Sequence, residues 1–252
     1  MTARLLLSAA ALLLTAAAAP ESQPKTLSPA EASKRGRALA AEILSQRPDE
    51  NSRFTGTLEI RSGKRTEKFF VEAEVTLLDG AWQSLYFASN STGAEKLIVI
   101  HSTNGPNRYL YGRTPAPETM APALKSISSD DAATNAFAGS DFSPADLGLE
   151  FFHWPEQRLL KTEMRRGRAC RVLESINPRP VPGACSKVLA WIDLETDGIV
   201  HAEACDGAGG VLKVFDPKEF KKVRGQWQLE EMEINNRETG SRTRIEFNVG
   251  SG

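Results

Sequence analysis

Residues 53–77 read Arg-Phe-Thr-Gly-Thr-Leu-Glu-Ile-Arg-Ser-Gly-Lys-Arg-Thr-Glu-Lys-Phe-Phe-Val-Glu-Ala-Glu-Val-Thr-Leu. Apolar side chains recur here at every second position. Phe54, Leu58 and Ile60 alternate with Thr55, Thr57, Glu59 and Arg61. Phe69, Val71, Ala73, Val75 and Leu77 alternate with Phe70, Glu72, Glu74 and Thr76. A period of two sends successive side chains to opposite faces of a strand, so each run has one face for a core and one for water. Ser62-Gly63 between the runs and Asp79-Gly80 after them are hairpin signals. Short strand patterns follow at 82–88, 96–102 and 108–113, separated by turn residues at 90–93 and by Asn104-Gly105. Strands at hairpin spacing predict an antiparallel meander.

Upstream the period changes to that of a helix. Ser28-Pro29-Ala30-Glu31 is a capping-box pattern with proline at the first helical position. Leu39, Ala40, Ile43 and Leu44 recur at helical spacing, and Pro48 stops the helix near Gln46. The segment 20–27 reads as a flexible lead. At the N-terminus, Arg4 opens a positive region, 5–14 is an uncharged apolar run, and Ala16 to Ala19 are small residues before Pro20. This is the pattern of a secretory signal peptide cleaved near Ala19. It predicts a periplasmic protein, released from the membrane because no lipid-accepting cysteine follows the cleavage site.

Downstream, residues 114–155 break the strand rhythm with Pro115, Pro117, Pro122, Pro144 and Pro155. They predict an excursion with one or two short helices, one of them starting at the Ser143 cap with Asp146 at its positive end. Its stretch from Gly139 to Trp154 carries Phe142, Leu147, Leu149, Phe151, Phe152 and Trp154 and is expected to act as a lid that opens readily. Strand patterns resume at 157–165, 168–176, 185–194, 199–205, 211–215, 226–235 and 241–249, for about a dozen in all. Strands never alternate with helices, which excludes a parallel sheet. The expectation is a single domain over 28–252, mainly β with a few helices.

Composition narrows the function. The 252 residues hold 31 Lys and Arg against 32 Asp and Glu, for a net charge of −1, and loss of Arg4 with the leader makes the chain more acidic. Nucleic-acid binding leaves a basic footprint, so that class is excluded. Cys170, Cys185 and Cys205 allow at most one internal disulfide and include no C-x-x-C pair. His101, His153 and His201 fall in separate elements, with no i, i+4 pair, so no metal site is read. No G-x-S-x-G elbow surrounds Ser140. Asp141 and Asp146 read as caps of a local helix start rather than as an acid–base pair. The 165–168 turn, Arg-Arg-Gly-Arg, reads as a solvated hairpin tip. No catalytic residue and no cofactor emerge.

Several motifs carry a resemblance. Gly139-Ser140-Asp141-Phe142-Ser143-Pro144-Ala145-Asp146-Leu147 resembles the G-S-D-F-S-x-x-D-L segment of the LolA-like outer-membrane lipoprotein-sorting family. Tyr109-Leu110-Tyr111 and Leu124-Lys125-Ser126-Ile127 resemble its lead into that segment. Residues 186–196, Ser-Lys-Val-Leu-Ala-Trp-Ile-Asp-Leu-Glu-Thr, resemble its S-K-V-x-x-W-I-D-x-x-T strand, and residues 220–227 its Y-K-x-V-x-G-x-W hairpin. The resemblance implies an incomplete antiparallel β-barrel wrapped over a few helices, with an apolar cavity between them. It also implies a carrier of lipoprotein or lipid acyl chains, with an inner-membrane exporter and an outer-membrane acceptor as the kind of partners involved.

By alternation, the candidate ligand-facing residues are Phe69, Val71, Leu85, Phe87, Ile98 and Ile100, joined by Phe142, Leu147, Phe151 and Trp154 of the excursion. A monomer is expected. The rival readings are a non-enzymatic envelope scaffold that docks a protein partner, and a periplasmic hydrolase.

Overall fold

The structure, a computed structural model, describes residues 27–102, 105–115, 122–223 and 226–249, without the side chains of 226 and 227. The expected signal peptide lies outside them. A 17-residue helix α1 (Pro29–Ser45) comes first. Ser28 caps it by accepting from the Glu31 N–H at 3.3 Å, and Gln46 ends it in extended backbone. The long strands β1 (Ser52–Ser62), β2 (Arg65–Leu78), β3 (Ala81–Asn90), β4 (Gly93–Ser102) and β5 (Arg108–Pro115) follow as a meander. A short β6 (Lys125–Ile127) then leads into helices α2 (Ser129–Thr134) and α3 (Pro144–Leu147), with single 3-10 turns at Phe137–Gly139 and Glu150–His153. The remaining strands are β7 (Glu156–Arg165), β8 (Arg168–Ile176), β9 (Lys187–Asp193), β10 (Ile199–Cys205), β11 (Val211–Val223), β12 (Gln226–Asn236) and β13 (Arg242–Phe247).

All thirteen strands form one antiparallel sheet in the order β6-β5-β4-β3-β2-β1-β13-β12-β11-β10-β9-β8-β7. The chain runs outward from the middle along one half, crosses by way of the excursion, and returns along the other half. Its last strand then pairs with its first, Leu58 opposite Ile245. The edge strands β6 and β7 do not pair, so the sheet is an incomplete barrel. At the join, a Cβ on Gly56 would lie 2.1 Å from the Glu246 carbonyl oxygen, so only glycine allows β13 this close. Strand β11 outruns the expected 211–215 because register shifts on either side of Glu219 absorb Pro217.

The register fixes which side chains face inward. Leu58 pairs with Phe69, Val71 with Ala88, Tyr86 with Leu97 and Val99 with Tyr109, and these form the concave core. Phe69 and Val71 are therefore inward, as the alternation predicts. Leu85, Phe87, Ile98 and Ile100 are on the opposite, convex face. The tight turn at Asp79-Gly80 places Leu78 opposite Ala81, which puts Leu85 against Glu74 and Phe87 against Glu72 on the polar side of β2. Strand β4 inherits the same parity, with Ile98 opposite Leu85 and Ile100 opposite Gln83. The assignment of these four residues to the ligand face is corrected accordingly.

Two plugs fill the concave side. The first is the excursion. Phe137 is 1% exposed and Phe142 2%, and with Ala132 and Leu147 they pack on β1–β5, β12 and β13. Its backbone is held by buried side chains of the elements packed around it. Glu95 accepts from the Ala138 N–H at 2.7 Å, and the Thr243 hydroxyl from the Asp141 N–H at 3.0 Å. Asn107 donates to the Gly148 carbonyl at 2.7 Å, and Gln157 donates to the Phe151 and Trp154 carbonyls. The Asp141 carboxylate accepts from Ser241 and Thr243 at 2.5 and 2.9 Å. A segment tied down by this many buried bonds is a packed wedge, which corrects the expectation of a loosely held lid. The second plug is α1. Its Leu39 and Ala40 pack with Phe151, Phe152, Leu173, Ala190 and Ile192 in a separate core over β8–β10.

Candidate functional site

The two plugs do not meet over the whole sheet, and the space between them is a cavity of about 570 Å³. That lies in the range of small-molecule sites, 300–1,000 Å³. Its floor is the concave face of β9–β12: Val188, Ala202, Ala204, Phe215, Met232 and Ile234. One wall is the end of α1 with Ile43, and the other is the excursion with Phe142, Leu147, Leu149 and Phe151. Trp82, Tyr86 and Phe220 form part of its rim.

The sequence explains why the floor is low there. In β10 the outward residues are His201 and Glu203, and the inward residues between and after them are alanines, Ala202 and Ala204. A methyl side chain cannot reach the layer opposite, so the helices above must come down or leave a void. Helix α1 does come down, but over β7: a Cβ on Gly36 would lie 2.5 Å from the Arg158 backbone nitrogen. Leu149, on the excursion side, adopts the left-handed conformation at φ 49° and is 39% exposed, an apolar side chain presented at the opening.

Of the residues singled out by sequence, Phe142, Leu147 and Phe151 line this cavity. Trp154 packs instead into the core beneath α1, and Phe69 and Val71 lie under the excursion wedge. The convex-face residues Leu85, Phe87, Ile98 and Ile100 are not part of the lining. Sequence reasoning missed Ala202, Ala204, Phe215 and Ile234, whose signal was the alternation of small or apolar residues with charged ones along β10–β12.

Polar groups mark both ends of the cavity. At one end the Gln46 amide donates to Asp197 at 3.1 Å, Arg171 pairs with the same carboxylate, and Arg47 donates to the carbonyls of Leu78 and Ala81 at 3.1 and 2.8 Å. These bonds tie the residues after α1 to the β2–β3 hairpin on one side and the β9–β10 turn on the other. At the other end the Lys213 ammonium is 2.9 Å from Asp146 Oδ2. Burial favours the neutral amine, but the Asp146 carboxylate outweighs it and holds the Lys213 pKa above the ordinary value.

The parts of a nucleophilic triad are split across the sheet. On the concave face His101 Nε2 lies 3.3 Å from Ser84 Oγ, and its ring stacks on Trp82 at 3.6 Å. On the convex face His201 Nδ1 lies 2.6 Å from Asp216, with Glu203 and Arg165 at Nε2. The histidine that touches a hydroxyl and the one that touches carboxylates are different residues on different faces. Cys170, Cys185 and Cys205 are all free thiols, and no cluster of metal-ligating side chains occurs among the described residues. No described helix is long and apolar enough to cross a membrane.

Comparison with known proteins places this geometry. A family model described only as an uncharacterized protein matches residues 92–249. No curated protein matches the chain. Among solved structures, a putative outer-membrane lipoprotein-sorting protein domain from Vibrio parahaemolyticus is similar, at TM-score 0.68 and 20% identity, over 87% of this chain and 95% of that one. A DUF1329 family protein from Desulfovibrio piger gives TM-score 0.67 and 20% identity over 88% and 95%. A LolA superfamily protein from Nitrosomonas europaea gives 0.51 and 12% over 86% and 91%. The family model spans more than half of the chain, so the chain belongs to that family of uncharacterized proteins, and it shares its fold, an open sheet curled over helical plugs, with the lipoprotein-sorting domain and the LolA superfamily protein.

Proposed function

We propose that the protein is an exported, non-enzymatic carrier that shelters acyl chains of lipoproteins or other lipids in the cavity over β9–β12, on the way to the outer membrane. The observation that carries this reading is the apolar trough itself, floored by small inward residues and walled by two separately anchored plugs. Each methylene moved from water contributes about 0.8 kcal/mol, so ten of them contribute on the order of 8 kcal/mol before ordering costs. That supports binding and still permits release. The signal-peptide pattern and the likeness to a lipoprotein-sorting domain support a periplasmic setting.

The second reading, a scaffold that docks a protein partner, draws on the convex face. Leu85, Ile98 and Leu110 form a cross-strand apolar row there, next to Phe87. One experiment separates the two. A neutral dye that fluoresces in apolar surroundings should bind the native protein. Leu229 of β12 also lines the trough, and Leu229→Glu, which puts a charge there, should weaken binding by about tenfold or more. Phe87→Glu, on the convex face, should leave it within about twofold. If Phe87→Glu abolishes binding and Leu229→Glu does not, in variants with native circular dichroism, the carrier reading is wrong and the convex face is the site.

A further inference from the structure

We propose that Lys213 and Asp146 form a head-group subsite, which selects ligands whose acyl chain ends in an uncharged carbonyl, an ester or amide, over free carboxylates. The proposal rests on the acyl-chain reading and names the chemistry of the ligand's polar end.

The trough has a direction. Along β11 it runs from Lys213, beside Ala204, to Pro217 and Phe220. Seven steps along a strand span about 23 Å. At the Phe220 end the polar groups already engage one another: Asp197 has Gln46 and Arg171, and Arg47 has two carbonyls. At the Lys213 end they do so only in part, through the Lys213–Asp146 pair. The Asp146 carboxylate is fixed by its own helix start, where Oδ2 accepts from the Ser143 N–H at 2.8 Å and Ser143 Oγ accepts from the Asp146 N–H at 3.1 Å. An ammonium has three donors. Asp146 takes one, and no other described residue takes the remaining two. A chain lying in the trough would exclude water from these N–H groups, and a donor cut off from water without a partner is destabilising. The ligand's own head must supply the acceptor.

The charge around the ammonium decides which acceptor. Asp146 contacts Lys213 directly, and the charges of Asp146 and Asp141 both favour the protonated ammonium. Asp141 is bound to the hydroxyls of Ser241 and Thr243 and stays in place. A free carboxylate would bring a third anion to one cation and lose its own hydration. An ester or amide carbonyl accepts from Lys213 with neither cost, and a plain hydrocarbon leaves the donors unmet.

The test is displacement of the neutral dye from the purified protein at pH 7.5 by methyl dodecanoate, dodecanoate and dodecane, delivered from cyclodextrin. The native protein should bind the ester about tenfold tighter than either of the others. Lys213→Met should bring the ester down to the level of dodecane and leave dodecane unchanged. Asp146→Asn keeps an acceptor for the Ser143 N–H, and it should raise dodecanoate relative to the ester by about tenfold, a shift that a merely structural role would not produce. Preference for dodecanoate over the ester in the native protein, or an ester-to-dodecane ratio untouched by Lys213→Met, overturns the subsite and leaves the carrier reading standing. Displacement by none of the three overturns both.

Discussion

The two halves of the sheet solve the same problem differently. The half made of β1–β5 is covered by a wedge of its own chain, which fills the concavity with Phe137, Phe142 and Leu147 and is bonded to the strands beneath it. The half made of β7–β12 is covered mainly by one helix, which is seated closest over β7 and packs with the end of the excursion over β8–β10, so part of β10–β12 is left open. The strand patterns of the halves are alike. What differs is the fit of the covering element, and the cavity lies where neither cover reaches. In this fold a binding space is a property of the plugs and the small residues below them, more than of the sheet.

The largest test of that contrast compares two phenylalanines. Phe137→Ala removes a fully buried ring at the centre of the wedge, where it meets Tyr86 edge-on at 6.5 Å. It should cost about 3–5 kcal/mol in urea denaturation. Phe215→Ala removes a ring that packs edge-on against Phe142 at 6.3 Å on one side and faces the trough on the other. A ring with open space on one side has fewer contacts to lose, so its cost should be roughly half that or less. Equal costs would mean that the trough is closed and packed in solution.

A smaller effect is expected at the seat of α1. Gly36→Ala places a methyl within 2.5–2.6 Å of the Gln157 and Arg158 backbone, which cannot yield without moving the helix or the strand. The expected loss is about 1–3 kcal/mol. Because Ile43, Gln46 and Arg47 at the far end of the same helix border the cavity, dye binding should change as well. Wild-type stability together with unchanged dye affinity would show that α1 is not rigidly seated on β7.

Much of this fold was legible in the sequence. The Ser28 cap, the proline after it and the stop before Pro48 bound α1, and the alternation in β1 and β2 gives their inward faces directly. The parity of β3 and β4 was also present but harder to see, because Trp82, Tyr86, Leu85 and Phe87 make both faces apolar. It comes from counting across the Asp79-Gly80 turn from β2, whose glutamates mark the outside. Ala202 and Ala204 announced a low floor, but a small residue says nothing about what lies above it. The location of the cavity depends on how far α1 and the excursion reach. That is set by contacts such as Gly36 on Arg158 and Asp141 on Thr243, between residues more than a hundred positions apart, which periodicity cannot reveal.

The smallest expected effect is a difference in how the halves respond to acid. In the wedge-covered half, burial against Trp82 lowers the His101 pKa from 6.5 to about 4, and burial also lowers that of His153. A base whose folded pKa is depressed is neutral in the native state and takes up its proton on unfolding. Its contribution to stability is therefore whole above about pH 6.5 and declines as the pH falls towards 4. Glu150, which accepts from Tyr109 at 2.7 Å, works in the opposite sense: burial raises its pKa, so acid relieves rather than adds cost there. In the other half the shifted carboxylates Asp193, Asp216 and Glu233 are depressed despite burial, by Arg168, His201 and Lys218 among their partners. Their contribution persists until the pH passes below the ordinary carboxylate range. Between pH 6.5 and 4.5 the strands around His101 should therefore loosen before those around Asp216. Hydrogen exchange, corrected for the intrinsic pH dependence, should show protection falling at 97–101 while 188–192 holds. His101→Gln should flatten the loss at 97–101. A uniform loss across both stretches, or one untouched by His101→Gln, would show that the histidine on Trp82 does not separate the two halves.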